Sequence, residues 1–143
     1  MVSLSEEKCI FCEIVRREEK ASIVYEDDDV LAFLDINPLA KGHTLIIPKI
    51  HYVDITDIPS EILSKISLVS KKLGENMINK LGYDGVNLMH STGASAGQSV
   101  FHFHVHLIPR ISGESIGFQE WWFSRAFHPS RKDLDKTAND LKL

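Results

Sequence analysis

Gln98-Ser99-Val100-Phe101-His102-Phe103-His104-Val105-His106-Leu107-Ile108-Pro109-Arg110 is the most informative stretch of this 143-residue sequence. Side chains alternate along a strand, so a strand over 99–110 is predicted to put His102, His104 and His106 on one face and Phe103, Val105 and Leu107 on the other. The apolar face can bury against a helix. The imidazole face then lines an open surface, with neighbouring histidines about 7 Å apart along the strand. A solvated sheet face carries scattered polar residues; three imidazoles alternating with apolar residues, directly after a glycine-containing loop, point to chemistry instead. Two histidines at i and i+2 on a strand can also chelate one zinc ion, so a metal reading stays open, for His102 in particular.

Outward from that strand, the run Thr44-Leu45-Ile46-Ile47 inside His43–Pro48 is short, β-branched and reads as a central strand. Ser22–Glu26, with Ile23 and Tyr25 on one face, and Val30–Asp35 are predicted strands joined by the turn Asp27-Asp28-Asp29. Asp84–His90 is a further strand, followed by the small-residue loop Ser91–Gly97. One long helix follows Pro59: Ile62, Ile66, Val69, Leu73, Met77 and Leu81 recur at helical spacing, widened by Leu63 and Ile78. Ser60 is the expected cap at its start and Gly82 its terminator. Short helices are expected at Cys12–Arg17 and Lys132–Leu141. Strands joined by short turns with helices grouped together indicate an α+β domain on an antiparallel sheet of about five strands. The length fits a single domain over 1–143, with its core at about 9–110 and a tail at 111–143.

A formal charge of −4 argues against a large footprint for duplex nucleic acid, yet a small anion can still be held by amides and neutral donors. Met1–Lys8 carries charge and no apolar core of a signal peptide, and no apolar run nears the roughly 18 residues of a membrane span. A cytoplasmic location is the expectation. There a structural disulfide between the two cysteines, Cys9 and Cys12, is disfavoured, and Cys-x-x-Cys reads as a metal half-site or a redox pair.

His102-x-His104-x-His106 followed by Leu107 and Ile108, with Ala96-Gly97-Gln98-Ser99 before it, resembles the histidine triad (HIT) family. The resemblance extends through Tyr25-Glu26-Asp27-Asp28, Ala32-Phe33-Leu34-Asp35 and Gly42-His43-Thr44-Leu45-Ile46-Ile47-Pro48-Lys49. It implies a nucleotide hydrolase or transferase acting at the α-phosphate of purine nucleoside phosphoramidates or dinucleoside polyphosphates. His104 would be the nucleophile, with His106 near the α-phosphate. Neutral imidazole suits covalent catalysis, since its ordinary pKa near 6.5 leaves it largely unprotonated at pH 7. A main-chain carbonyl is expected to fix the His104 tautomer.

Gly97, Gln98 and Ser99 are the expected phosphate cradle: glycine allows close backbone approach and serine brings donors. Asp35 is assigned to the ribose hydroxyls, and Phe33, Ile36, Ile10 and Phe11 to an apolar slot for the base, with Ile14 equally suited to core packing. His43 is expected to support the active-site histidines. The family often has Asn or Gln where this chain has Ser91; Asn87 or Thr92 could compensate, and Asn87 is counted among the nucleotide-binding residues.

Cys9 and Cys12 need partners from elsewhere, and His51 and His102 are the candidates for a four-ligand structural zinc site of the kind found in similar prokaryotic members. A redox pair and plain buried cysteines are the competing readings; a redox motif favours a βαβ context, absent here. No organic cofactor is implied. Two other functions remain open: a zinc-stabilised nucleotide-binding or scaffold module, and a metallohydrolase using the triad as ligands. The resemblance also implies a homodimer, and Trp121-Trp122-Phe123 would either pack the tail or close a neighbouring site.

Overall fold

Two apolar runs set the architecture, because every residue in them is buried: β2 (Val30–Leu34) and β3 (Thr44–Pro48). A strand can be apolar on both faces only if both faces are covered. In the computed structural model, which describes residues 8–114 and 128–143, five antiparallel strands form one sheet in the order β1-β2-β3-β5-β4. The edges are β1 (Ile23–Glu26) and β4 (Gly85–Met89), and β5 (Val105–Arg110) lies between β3 and β4. On one face, Val30, Ala32, Leu34, Ile46, Val105 and Leu107 pack against the long helix α2 (Ser60–Leu81) and the final helix α3 (Arg131–Leu141). On the other, Leu31, Phe33, Leu45 and Ile47 meet Phe11, Cys12 and Ile14 of the short helix α1 (Ile10–Val15). The α+β class and the antiparallel five-stranded sheet agree with the sequence reading.

Helix α2 buries Ile66, Val69, Leu73 and Met77, the centre of the predicted stripe, whereas Ile78 is exposed. It ends at Gly82, whose φ of 74° is the left-handed conformation that glycine adopts without penalty. Its start differs from expectation. Pro59, already extended, takes the cap position without a side-chain bond, and Ser60 becomes the first helical residue. Helix α3 is entered through a capping box, Ser130 with Asp133, and its last turn is tied to α2 by Asn76 Nδ2 donating to the Leu141 carbonyl at 2.6 Å.

Three other expectations are corrected. Ile23 and Tyr25 do not share a face: a register shift between them sends Ile23 towards the α1 side and Tyr25 towards the α2 side. Helix α1 starts two residues before the predicted Cys12, because Cys9 caps it, its Sγ accepting from the Cys12 N–H at 3.5 Å. The histidine strand begins at Val105 instead of Ser99. Pairing with β3 ends at Ile46↔Val105. Pro48, further along β3, has no N–H to offer, and its carbonyl accepts from the His102 ring at 2.8 Å rather than from a backbone donor. Only His106 of the three histidines therefore lies within a strand.

Trp121, Trp122 and Phe123 fall outside the described residues. Among those described, no helix is long and apolar enough to cross a membrane.

Candidate functional site

The bend before β5 divides the three histidines between two places. His102 turns towards α1. Its Nε2 faces the Pro48 carbonyl, which only accepts, so Nε2 carries the proton and Nδ1 presents a lone pair. That Nδ1 lies 3.4 Å from Cys9 Sγ and 3.5 Å from Cys12 Sγ, while His51 Nδ1 lies 3.3 Å from Cys12 Sγ. The i, i+3 spacing across the first turn of α1 brings the two sulfurs together. All four donor atoms lie within 4.8 Å of one another. Tetrahedral zinc with S ligands near 2.3 Å and N ligands near 2.0 Å requires donor separations of about 3.3–3.8 Å, which the three sulfur–nitrogen distances of 3.3–3.5 Å match. The Pro48 carbonyl behind His102 is the kind of outer partner that fixes a metal-ligating imidazole. Burial pushes His102 down to about 4, against the opposing pull of that carbonyl; the ring is neutral, with Nδ1 ready to ligate.

His104 and His106 line a separate cleft of about 330 Å³ between α1 and the sheet. The sheet register makes its floor: His106 pairs with Leu45, Leu45 with Phe33, and Phe33 with Ile23 at the β1 edge. Ile10, Phe11 and Ile14 form the facing wall, and Asp35, Ile36, Gly97 and Ser99 complete the lining. The Phe11 ring stands edge-on to both Phe33, at 5.4 Å, and His104, at 5.2 Å. The three histidines are buried, and the rings of His104 and His106 lie 5.1 Å apart, closer than a regular strand would hold them and not on an open surface.

Hydrogen bonds select one tautomer for each imidazole. His104 Nδ1 donates to the His102 carbonyl at 2.8 Å, which leaves Nε2 as the ring's unprotonated nitrogen. Burial holds His104 below the usual histidine range; His90 adds to this, while the His102 carbonyl and Asp35 oppose it. His43 Nδ1 accepts from the Leu39 N–H at 3.0 Å, so its Nε2–H donates to His106 Nδ1 at 2.9 Å. His106 is thereby left with its proton on Nε2. Asp35, at 3.6 Å from His43 Nε2, closes a buried Asp35–His43–His106 group.

Most of the sequence-predicted residues meet here: His104, His106, Asp35, Phe33, Ile36, Ile10, Phe11, Gly97 and Ser99 all line the cleft, with His43 behind it. Asn87 does not. It sits on β4, where its side-chain oxygen accepts from Arg110, and it cannot stand in for a family amide. Gln98 also turns away: its amide accepts from the Gly93 N–H and donates to the Val53 and Val100 carbonyls, bracing the loop from behind. Thr92 is engaged by His90 and the Ile55 N–H, whereas Ser91 itself lines the cleft. Gly97 has φ 101°, which lets the chain double back before Ser99.

Two residues that sequence reading passed over also reach this region. His90 donates from Nδ1 to the His104 carbonyl at 2.9 Å and stacks on Phe103, extending β4 by one side-chain rung where its backbone stops. Arg131, from the first turn of α3, lines the far end of the cleft. No local motif marks either residue; a histidine directly after a strand was the only signal for His90.

Residues 16–113 match the HIT domain. An uncharacterized HIT-like protein of Methanocaldococcus jannaschii is 49% identical over 136 residues, covering 94% of this chain and 98% of its own. The adenylylsulfatase HINT3 of Arabidopsis thaliana is 39% identical over 137 residues, covering 93% of this chain and 65% of its own. A zinc-bound histidine triad family protein from Mycobacterium smegmatis superposes with a TM-score of 0.83 at 34% identity, over 96% of this chain and 92% of the other. The chain belongs to the HIT family.

Proposed function

We propose that this protein hydrolyses or transfers nucleotides at the α-phosphate of purine nucleoside phosphoramidates or dinucleoside polyphosphates, through a nucleotidyl-His104 intermediate. One observation carries the reading: the His102 carbonyl holds the proton of His104 on Nδ1, leaving the lone pair on Nε2 of a ring that lines the cleft. Burial keeps that ring neutral, the nucleophilic form.

In the first step His104 Nε2 attacks phosphorus. The bond to the leaving nitrogen or oxygen breaks with its electron pair, the His106 Nε2–H hydrogen-bonds to the departing group, and an amine leaving group takes its proton from solvent. In the second step water attacks the phosphohistidine and loses a proton to solvent, the phosphorus–nitrogen bond breaks with its electron pair returning to His104 Nε2, and the nucleoside monophosphate departs. The Ser99 hydroxyl and the amides after Gly97 suit the charge that develops on the phosphoryl oxygens. The Asp35 carboxylate suits the ribose hydroxyls, and the Phe11–Phe33 slot suits the base. An adenylyl substrate for the Arabidopsis relative supports the nucleotide assignment.

Zinc would be held by Cys9, Cys12, His51 and His102, where it would brace α1 against the segment that carries His104. The arrangement disfavours a metallohydrolase, because the triad does not converge on one point: His102 turns to the cysteines while His104 and His106 line the cleft. A cytoplasmic homodimer is part of the same reading; the β4 edge, with Leu88 60% exposed, offers a strand for pairing between copies.

The test is to quench turnover of an adenosine phosphoramidate and locate the adduct by mass spectrometry. A nucleotidyl group on His104 is expected. Turnover with the adduct on another residue would overturn the assignment.

A further inference from the structure

The cleft runs across the strands rather than along them. His106, Leu45, Phe33 and Ile23 are successive partners on β5, β3, β2 and β1, so the floor extends over three strand spacings, about 14 Å, from the imidazoles to the β1 edge. A nucleotide with its phosphate at His104 and its base between Phe11 and Phe33 points the far edge of that base at β1. The lining there ceases to be apolar: Glu19, Lys20 and Arg131 take over.

Arg131 is the anchored member of this group. Its Nη1 donates to Ser22 Oγ at 2.9 Å, and Ser22 Oγ donates to Asp135 at 2.6 Å. Ser22 is itself 2% exposed, so the tether has a buried centre. One N–H of the guanidinium is used by the tether. The remaining donors keep their fixed planar fork.

We propose that Arg131 is a specificity-determining residue that reads the base edge and makes the site prefer guanine to adenine; the inference rests on the nucleotide reading above. A guanidinium has donors only. Guanine presents two adjacent acceptors, N7 and O6, that match the fork, whereas adenine pairs N7 with an amino group that sets donor against donor. The Glu19 carboxylate complements this choice, since it accepts from the N1–H and amino group on guanine's remaining edge. Arg131 also lies outside the segment that matches the HIT domain, so base preference here is supplied by this chain's C-terminal helix.

Binding and turnover are read separately in the test. Calorimetry with GMP and AMP on the full chain is expected to show about tenfold tighter binding of GMP, the scale of one bidentate base contact. Arg131→Met and Arg131→Lys should both bring the ratio close to one; the lysine keeps the charge but loses the fork. The kcat/KM ratio for guanosine and adenosine 5′-phosphoramidates should fall in parallel, chiefly through KM. Equal affinity for GMP and AMP in the unaltered protein, or a preference unmoved in the folded lysine variant, would overturn the proposal while leaving the hydrolase reading intact. GMP preference without any turnover would do the reverse. Failure of both nucleotides to bind would remove both.

Discussion

His102 and His104 are two residues apart, both buried, and both held below the ordinary histidine range chiefly by burial, yet they expose opposite nitrogens. His102 gives its Nε2–H to the Pro48 carbonyl and turns Nδ1 to two sulfurs. His104 gives its Nδ1–H to the His102 carbonyl and turns Nε2 to the cleft. The same side chain thus becomes a metal ligand or a nucleophile according to which backbone carbonyl takes its proton. The two sites are also joined in series, because the residue whose ring is aimed at the cysteines also supplies the carbonyl that sets the next tautomer.

The largest expected effect breaks the comparison at the cleft. His104→Ala removes the only Nε2 assigned to bond with phosphorus, and single-turnover rates should fall by about 10⁴-fold or more. The affinity for a nucleoside monophosphate should stay within about threefold, because the Phe11–Phe33 slot and Asp35 are untouched. A variant that retained turnover within tenfold would show that His104 is not the nucleophile.

At the cysteine site the effect is on metal content first and on rate only second. Cys12→Ser should weaken zinc binding by at least about 100-fold, since even outer-shell changes cost 10–100-fold. Metal analysis and chelator competition measure this directly. Because the four residues tie α1 to the segment before β5, chelation should reduce activity gradually, in step with loss of near-UV circular dichroism. Instant loss of activity with the fold intact would place the ion in the reaction itself, and the two histidines would then not differ in the way described.

The contrast also marks where the sequence stopped being informative. The strands β2 and β3, the stripe on α2 and the Gly82 stop were legible because local pattern and burial agree there. The alternation of Phe103, Val105 and Leu107 against the imidazoles likewise predicted which face each would take. The strand's start was not legible, since it depends on Pro48 having no N–H and on a ring taking the Pro48 carbonyl, both 50 or so residues away in sequence. Gln98 shows the same limit: its loop position suggested phosphate, but its amide is claimed by Gly93 and Val100 nearby and by Val53, 45 residues away. Arg131 reaches the cleft only because α3 folds back over the β1 end, a tertiary fact with no local signature.

The smallest expected effect sharpens the comparison by moving to the third imidazole. The His106 tautomer is set by another histidine, His43, which is itself fixed by the Leu39 N–H. His43→Ala removes the donor that holds the His106 proton on Nε2 and leaves the Leu39 N–H without its acceptor. The first change should lower kcat by about tenfold with little change in KM, since the lost fraction is the donor-competent tautomer. The second should cost about 1–3 kcal/mol of stability, read as a lower denaturation midpoint. His43→Gln, whose amide can still accept and donate, should recover part of both. If the glutamine variant restores stability but not rate, the relay through an imidazole is what matters. If His43→Ala destabilises the protein yet leaves kcat unchanged, His106 needs no help from His43, and tautomer selection by hydrogen bonding belongs to His102 and His104 alone.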